Sequence, residues 1–205
     1  MSVRQREHER ALFVKPDLAL EIVPFEAPMS DACQSILTAL PEWFGIPASN
    51  EEYIRSLPRL TTFVARLRGV VVGFVALEQH FPESAENHVL AVHPDYHRQG
   101  IGRALLAHSE RWLRSRGIEM FHVKTLGPSD PYLPYANTRA FYTAFGFRPL
   151  FETTALWGPE NPAVILAKPL STGGSPPSHS SRRGPRSRTE NERRPAAART
   201  AERRR

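Results

Sequence analysis

The chain has 205 residues, 40% of them hydrophobic, enough for one sizeable core. No window holds about 18 consecutive apolar residues, which argues against a membrane span. The polar, charged N-terminus lacks the apolar stretch of a secretory signal, and the single cysteine, Cys33, rules out an internal disulfide, so a cytoplasmic location is expected. The net charge of +6 belongs to one end. From Ser171 onward there are ten Arg and three Glu, a charge of +7, which leaves 17 basic against 18 acidic residues, about −1, for the body. The basicity therefore gives no information about a site in the body.

In chain order, residues 1–17 read as a flexible polar arm. Leu18 to Phe25 alternates as a first strand. Ser30 or Asp31 caps a helix to about Leu40, stopped by Pro41. An apolar loop containing Trp43 and Phe44 follows, and Ser49 or Asn50 caps a short helix that Pro58 ends. Thr61 to Leu67 and Val70 to Phe81 are strands joined at Arg68-Gly69, a hairpin signal, and Ala85 to Val92 is the next strand. A helix after Gly100 has Ile101, Ala104, Leu105, His108 and Trp112 at one-face spacing and closes at Arg116-Gly117. Ile118 to Thr125 is a strand, Asn137 caps a helix through Phe145, and Phe147 to Trp157 with Ala163 to Leu170 makes a final strand pair. This order predicts a mixed α/β sheet in residues 18–170 rather than a dinucleotide-type alternation. Residues 171–205, rich in Ser, Pro, Gly and Arg with hardly an apolar side chain, are expected to be disordered.

The chain is organised around Leu90 to Leu106. Here an apolar strand is broken by His93-Pro94-Asp95-Tyr96, and Gly100-Ile101-Gly102 opens a helix. Such a strand–turn–helix aims first-turn N–H groups at one point, where the helix dipole adds positive charge, and so makes an anion site. A dinucleotide fingerprint fails because Leu105 stands where Gly or Ala is needed, and a P-loop fails because Arg103 follows Gly102. His97-Arg98-Gln99-Gly100-Ile101-Gly102 resembles the coenzyme-A signature of the GNAT N-acetyltransferases, Arg/Gln-x-x-Gly-x-Gly/Ala, with His in the first position. About 35 residues later, Asn137-Thr138-Arg139-Ala140-Phe141-Tyr142-Thr143-Ala144-Phe145-Gly146-Phe147 resembles a second block of the same family, one residue shorter in its middle.

The resemblance implies the GNAT acyl-CoA N-acyltransferase fold, a mixed, mostly antiparallel sheet with splayed central strands flanked by helices. It implies transfer of an acetyl group from acetyl-CoA to a primary amine. The coenzyme would lie on the backbone of Leu90, Ala91 and Val92 and of His97, Arg98, Gln99, Gly100, Ile101, Gly102 and Arg103. Asn137 would contact the pantetheine arm or act only as a helix cap. Tyr142 would donate its hydroxyl to the coenzyme sulfur. A free alkyl ammonium has a pKa near ~10, so the amine must lose a proton before attack. Glu86, 14 residues before Gly100, matches the offset of the general base in histone-type relatives. His88 is the rival base, because imidazole titrates near neutrality. Period-2 alternation predicts that Glu86 and His88 face the same side as Leu90 and Val92. Glu78 and His80 are a second acid–imidazole pair that could add polarity to the acceptor pocket, lidded by Trp43, Phe44 and Tyr53. No metal is expected, since the usual zinc spacing is absent.

The acceptor stays open among small amines, peptide N-termini and protein lysines, and the family, in which dimers are common, leaves a homodimer open. Two rivals stand beside catalysis: a coenzyme-binding sensor that does no chemistry, and nucleic-acid association through the Arg-rich tail.

Overall fold

The computed structural model describes residues 20–170. The expected arm at 1–17 and basic tail at 171–205 lie outside the described residues, and so does any nucleic-acid contact through that tail. The elements are β1 (Leu20–Pro24), α1 (Ser30–Thr38), α2 (Pro47–Ser56), β2 (Thr61–Leu67), β3 (Val70–Phe81), β4 (Ser84–Val92), α3 (Ile101–Arg114), β5 (Met120–Leu126), α4 (Leu133–Ala144), β6 (Arg148–Thr153) and β7 (Ala163–Pro169). They build one seven-stranded sheet in the order β1-β2-β3-β4-β5-β7-β6. Every pairing is antiparallel except β4 with β5. Among the described residues no helix is long and apolar enough to cross a membrane.

The sheet carries a core on each face. On one side α3 and α4 pack Ile101, Leu105, Leu106, Leu113 and Tyr142 against Phe63, Val75, Phe121 and Val123. On the other, α1 and the segment after α2 pack Cys33, Ile36, Leu37, Leu40 and Leu57 against Val64, Phe74, Val89 and Ala91. The buried stripe of α3 is rotated from the one expected: Leu106, Ser109 and Leu113 join Ile101 and Leu105. His108 and Trp112 sit at its margin, edge-on to Phe63 at 4.5 and 5.9 Å between ring centroids.

Three expected helix caps are corrected. A 3₁₀ turn over Ala27–Met29 runs straight into α1, so neither Ser30 nor Asp31 caps it. Pro47 opens α2 two residues before Ser49, and the Asn50 side chain instead donates to the Phe44 carbonyl at 2.8 Å. Leu133 and Pro134 open α4, which puts Asn137 inside the helix and not at its cap. In each of the last two, proline's fixed φ suits the first turn, where its missing N–H costs nothing. The Arg68-Gly69 hairpin is present, with φ of 51° and 81°, the geometry of a two-residue turn that matches strand twist.

Two irregularities position the site. The β4–β5 pairing covers only Ser84–Asn87 against Met120–Val123; both strands continue, to Val92 and Leu126, without pairing each other, and a gap opens between them. On β4 the register with β3 steps from Ala76↔Val89 to Leu77↔Asn87, which leaves His88 as a bulge. A bulge shifts the alternation by one residue. Leu90 and Val92 therefore pack with the α3 side together with Ala85, while Val89 and Ala91 pack with the α1 side. The expectation that Glu86 and His88 share a face with Leu90 and Val92 is corrected on this ground. Glu86 lies on the α1 side, level with its β5 partner His122.

Candidate active site

A cleft of about 820 Å³ runs through the gap between β4 and β5. Its walls come from both faces of the sheet: Ile101, Gly102, Phe141 and Tyr142 on the α3 side, and Leu40, Phe44, Tyr53 and His88 on the α1 side. A linear molecule lying in it can pass its reactive end from one face of the sheet to the other.

One end of the cleft is made mostly of main chain. Arg98, Gly100, Ile101, Gly102 and Arg103 line it. Gly100 caps α3 with φ 83°, and Arg98 just before it has φ 60°. The N–H groups of Ile101, Gly102 and Arg103 have no acceptor within the helix, so they stay available to a ligand. The two glycines serve different ends. A Cβ on Gly100 would meet nothing within 4 Å, so that position needs glycine for its left-handed backbone. A Cβ on Gly102 would come within 3.3 Å of the Phe141 ring, so that one permits close approach of α3 and α4. His97 lies beside this end, its Nε2 2.7 Å from the Val92 carbonyl and its ring edge-on to Trp43 at 6.2 Å.

At the middle of the gap, Tyr142 is buried and its hydroxyl oxygen accepts a hydrogen bond of 2.8 Å from Asn87 Nδ2. Because that oxygen accepts from Asn87, its own proton is free to donate into the cleft. Burial raises the phenol well above its ordinary value, and the Asn87 bond offsets this only in part, so the hydroxyl remains a protonated donor. Asn87 Oδ1 is buried with no partner among the described residues. Nothing in the sequence motifs marks Asn87; only its register on β4 places it under Tyr142.

The other end is made of side chains. His88 sits on its bulge with Nδ1 3.2 Å from Glu78 Oε2, its ring edge-on to Tyr53 at 5.5 Å. Glu86, 2% exposed, accepts from His80 Nε2 at 2.8 Å and Lys124 Nζ at 2.9 Å, with His122 Nε2 3.6 Å away. Burial alone raises a carboxyl, but the His122, His80 and Lys124 contacts outweigh it and hold Glu86 at about 2. A carboxylate so stabilised is a weak proton acceptor at neutral pH. Trp43, Phe44 and Tyr53 line the cleft, while Glu78 and His80 stand behind its wall. Trp43 Nε1 donates to Thr138 Oγ1 at 3.0 Å and Tyr135 donates to the Trp43 carbonyl at 3.2 Å, which ties the α1–α2 loop to α4. Lys124, Tyr135, Thr138 and Trp157 also line the cleft and carry no local sequence signal.

Comparisons with known proteins agree with this architecture. Residues 58–149 match the model of the acetyltransferase (GNAT) domain. The [ribosomal protein bS18]-alanine N-acetyltransferase of Escherichia coli K12 is 32% identical over 113 residues, 55% of this chain and 74% of the relative. The crystal structure of the ribosomal-protein-S18-alanine N-acetyltransferase from Escherichia coli aligns with a TM-score of 0.62 at 25% identity, over 76% of this chain and 96% of the other. A GNAT acetyltransferase from Elizabethkingia anophelis, solved with acetyl-CoA bound, shares the fold with a TM-score of 0.58 at 20% identity, over 75% and 99% of the two chains. The chain belongs to the GNAT family and, with it, to the acetyl-CoA-dependent N-acetyltransferases.

Proposed function

We propose that the chain moves an acetyl group from acetyl-CoA to a primary amine by direct attack on the thioester, with the two substrates meeting in the β4–β5 gap. The observation that carries this reading is the placement of a hydroxyl donor, Tyr142, and an imidazole, His88, along one cleft that passes between the strands. In this reading the pyrophosphate lies against the first-turn amides of α3, with Arg98 and Arg103 beside it, and the pantetheine arm runs along Leu90, Ala91 and Val92. Gln99 helps hold the turn, its side chain donating to the Asp95 carbonyl at 3.1 Å. Asn137 lines the same cleft and contacts the arm.

The chemistry divides between the two faces. His88 takes the proton from the ammonium, and Glu78 on its Nδ1 fixes the ring and stabilises the imidazolium that forms. The free amine attacks the carbonyl carbon, the tetrahedral oxyanion collapses and the C–S bond breaks. Tyr142, oriented by Asn87, hydrogen-bonds the departing thiolate; its high pKa suits it to donate a hydrogen bond more than to surrender the proton. Holding both reactants in the gap supplies much of the rate. Glu86 is not the base in this scheme: it stays ionised as the counter-ion of Lys124.

The acceptor end has aromatic walls, and the buried carboxylate within it is already neutralised, so it offers little to a polycation. An amine on a small uncharged residue, such as a peptide N-terminus, fits it better. The Escherichia coli relative is named for an alanine of a ribosomal protein, which makes Ala-initiated peptides the first acceptors to assay. The test is thiol release from acetyl-CoA across peptide N-termini, lysine peptides and polyamines. Peptides acetylated at the α-amine are the expected product. Failure to bind acetyl-CoA at high micromolar concentration overturns the whole reading, and binding without release to any amine indicates a sensor.

A further inference from the structure

Glu86, at the acceptor end, joins His80 and His122 in a cluster that the transfer steps above do not use. His80 Nε2 and His122 Nε2 lie 2.8 and 3.6 Å from one oxygen, Glu86 Oε2, and the three atoms fall within 4.8 Å of one another. Each comes from a different strand. Glu86 and His122 are register partners on β4 and β5. His80 reaches them from β3 because it is itself the extra residue in a bulge between Gln79↔Ala85 and Phe81↔Ser84. The imidazole rings are 5.8 Å apart and inclined by 34°.

We propose that His80, Glu86 and His122 form a binding site for a divalent transition-metal ion of the zinc class. Two nitrogens and one carboxylate oxygen are a donor set that Zn²⁺ takes at ~2.0–2.2 Å, with water in the fourth position. Tetrahedral ligands at that range stand about 3.4 Å from each other, a value that the two observed separations bracket. Glu86 Oε2 is the shared oxygen, while Lys124 occupies Oε1 at 2.9 Å, so the carboxylate can give one oxygen to the ion and keep the other bond. The Lys124 charge opposes a cation; Glu78, whose Oε2 is 3.9 Å from His80 Nε2, offsets it. Access is open, since His80 is 36% exposed. The ligands are 6 and 36 residues apart along the chain, which is why no zinc-type spacing appears. A bound ion would cross-brace β3, β4 and β5 where the β4–β5 pairing ends.

The experiment is a titration of the metal-free full chain with Co²⁺, whose visible absorption reports nitrogen and oxygen ligation, followed by displacement with Zn²⁺. Neither acetyl-CoA nor an acceptor is present, so the outcome is separate from that of the transfer assay. One equivalent is expected to produce the bands. His80→Ala and His122→Ala are each expected to weaken binding at least about tenfold, and His108→Ala, on the other face, to leave it unchanged. Circular dichroism checks that the variants fold, and His80→Ala alone decides the matter if His122→Ala does not. Absence of bands at millimolar Co²⁺, or bands unchanged in His80→Ala, overturns the proposal.

Discussion

The two ends of the cleft are built from different materials. The end proposed for the coenzyme is main chain: left-handed residues at Arg98 and Gly100 and the open amides of α3, all within a few consecutive positions. The acceptor end is side chains: His88 and Glu86 from β4, Lys124 from β5 and aromatics from α2 and the loop before it, with Glu78 and His80 of β3 bonded to the two β4 side chains from outside the cleft lining. An anion held by backbone amides needs a fixed conformation and tolerates many side chains. A proton moved between an imidazole and an amine needs particular side chains and tolerates small backbone shifts. Substitutions of the proton-moving groups should therefore act on turnover, and those at the coenzyme end on affinity and stability.

The largest effect is expected from His88→Ala. Removing a general base costs ~10²–10⁴ in rate, and the coenzyme Kd should stay within about twofold. The loss should fall on kcat, with the KM for acetyl-CoA kept near the parent value. Steady-state kinetics of both proteins test this, and unchanged turnover would remove His88 from the role. Next comes Tyr142→Phe, which deletes one donor to the leaving thiolate. Its kcat should fall by about 10²-fold, again without loss of coenzyme binding. Asn87→Ala should produce a smaller version of the same defect, because it disorders the donor without removing it.

Glu86→Gln separates charge balance from base catalysis. If Glu86 were the base, this variant would resemble His88→Ala; here turnover is expected to fall less than about tenfold. The main consequence should be on stability. The folded-state carboxyl is held at about 2 against an ordinary 4.5. Its stabilising contribution is thus fully present above about pH 4.5 and is lost as pH falls toward about 2. That contribution is on the order of 3 kcal/mol. Urea denaturation at pH 7 and at pH 3 should show a smaller difference in the variant than in the parent, and equal differences would sink the assignment.

The same contrast explains what was legible in the sequence. Gly100, Gly102 and the neighbouring Arg98 and Arg103 sit within six residues, so a local motif marked the turn that opens α3 at one end of the cleft. The order of strands and helices along the chain also followed from periodicity and from glycine and proline breaks, whereas the order of strands within the sheet and the face each helix covers came only from the structure. The acceptor end depended on two bulges, at His88 and His80, which alternation cannot foresee because each adds one residue out of phase. Lys124 and Asn87 met Glu86 and Tyr142 only through sheet register and helix packing. Helix starts were misplaced where Pro47 and Pro134 outcompeted polar side chains as the opening residue.

The smallest effect is expected at the coenzyme end. In Gly100→Ala the new Cβ enters open space, so no packing clash arises, yet the residue must hold φ near 83°. That conformation costs a non-glycine residue about 1–2 kcal/mol. If the turn keeps its shape, stability drops by about that amount and affinity is kept. If it relaxes instead, the first-turn amides swing away and acetyl-CoA binding weakens by up to about tenfold. Either way kcat at saturating coenzyme should stay near the parent value, since Tyr142 and His88 lie elsewhere. Measuring Kd by titration beside a thermal melt distinguishes the two. A loss of kcat with unchanged Kd and Tm would contradict the division between a main-chain end and a side-chain end.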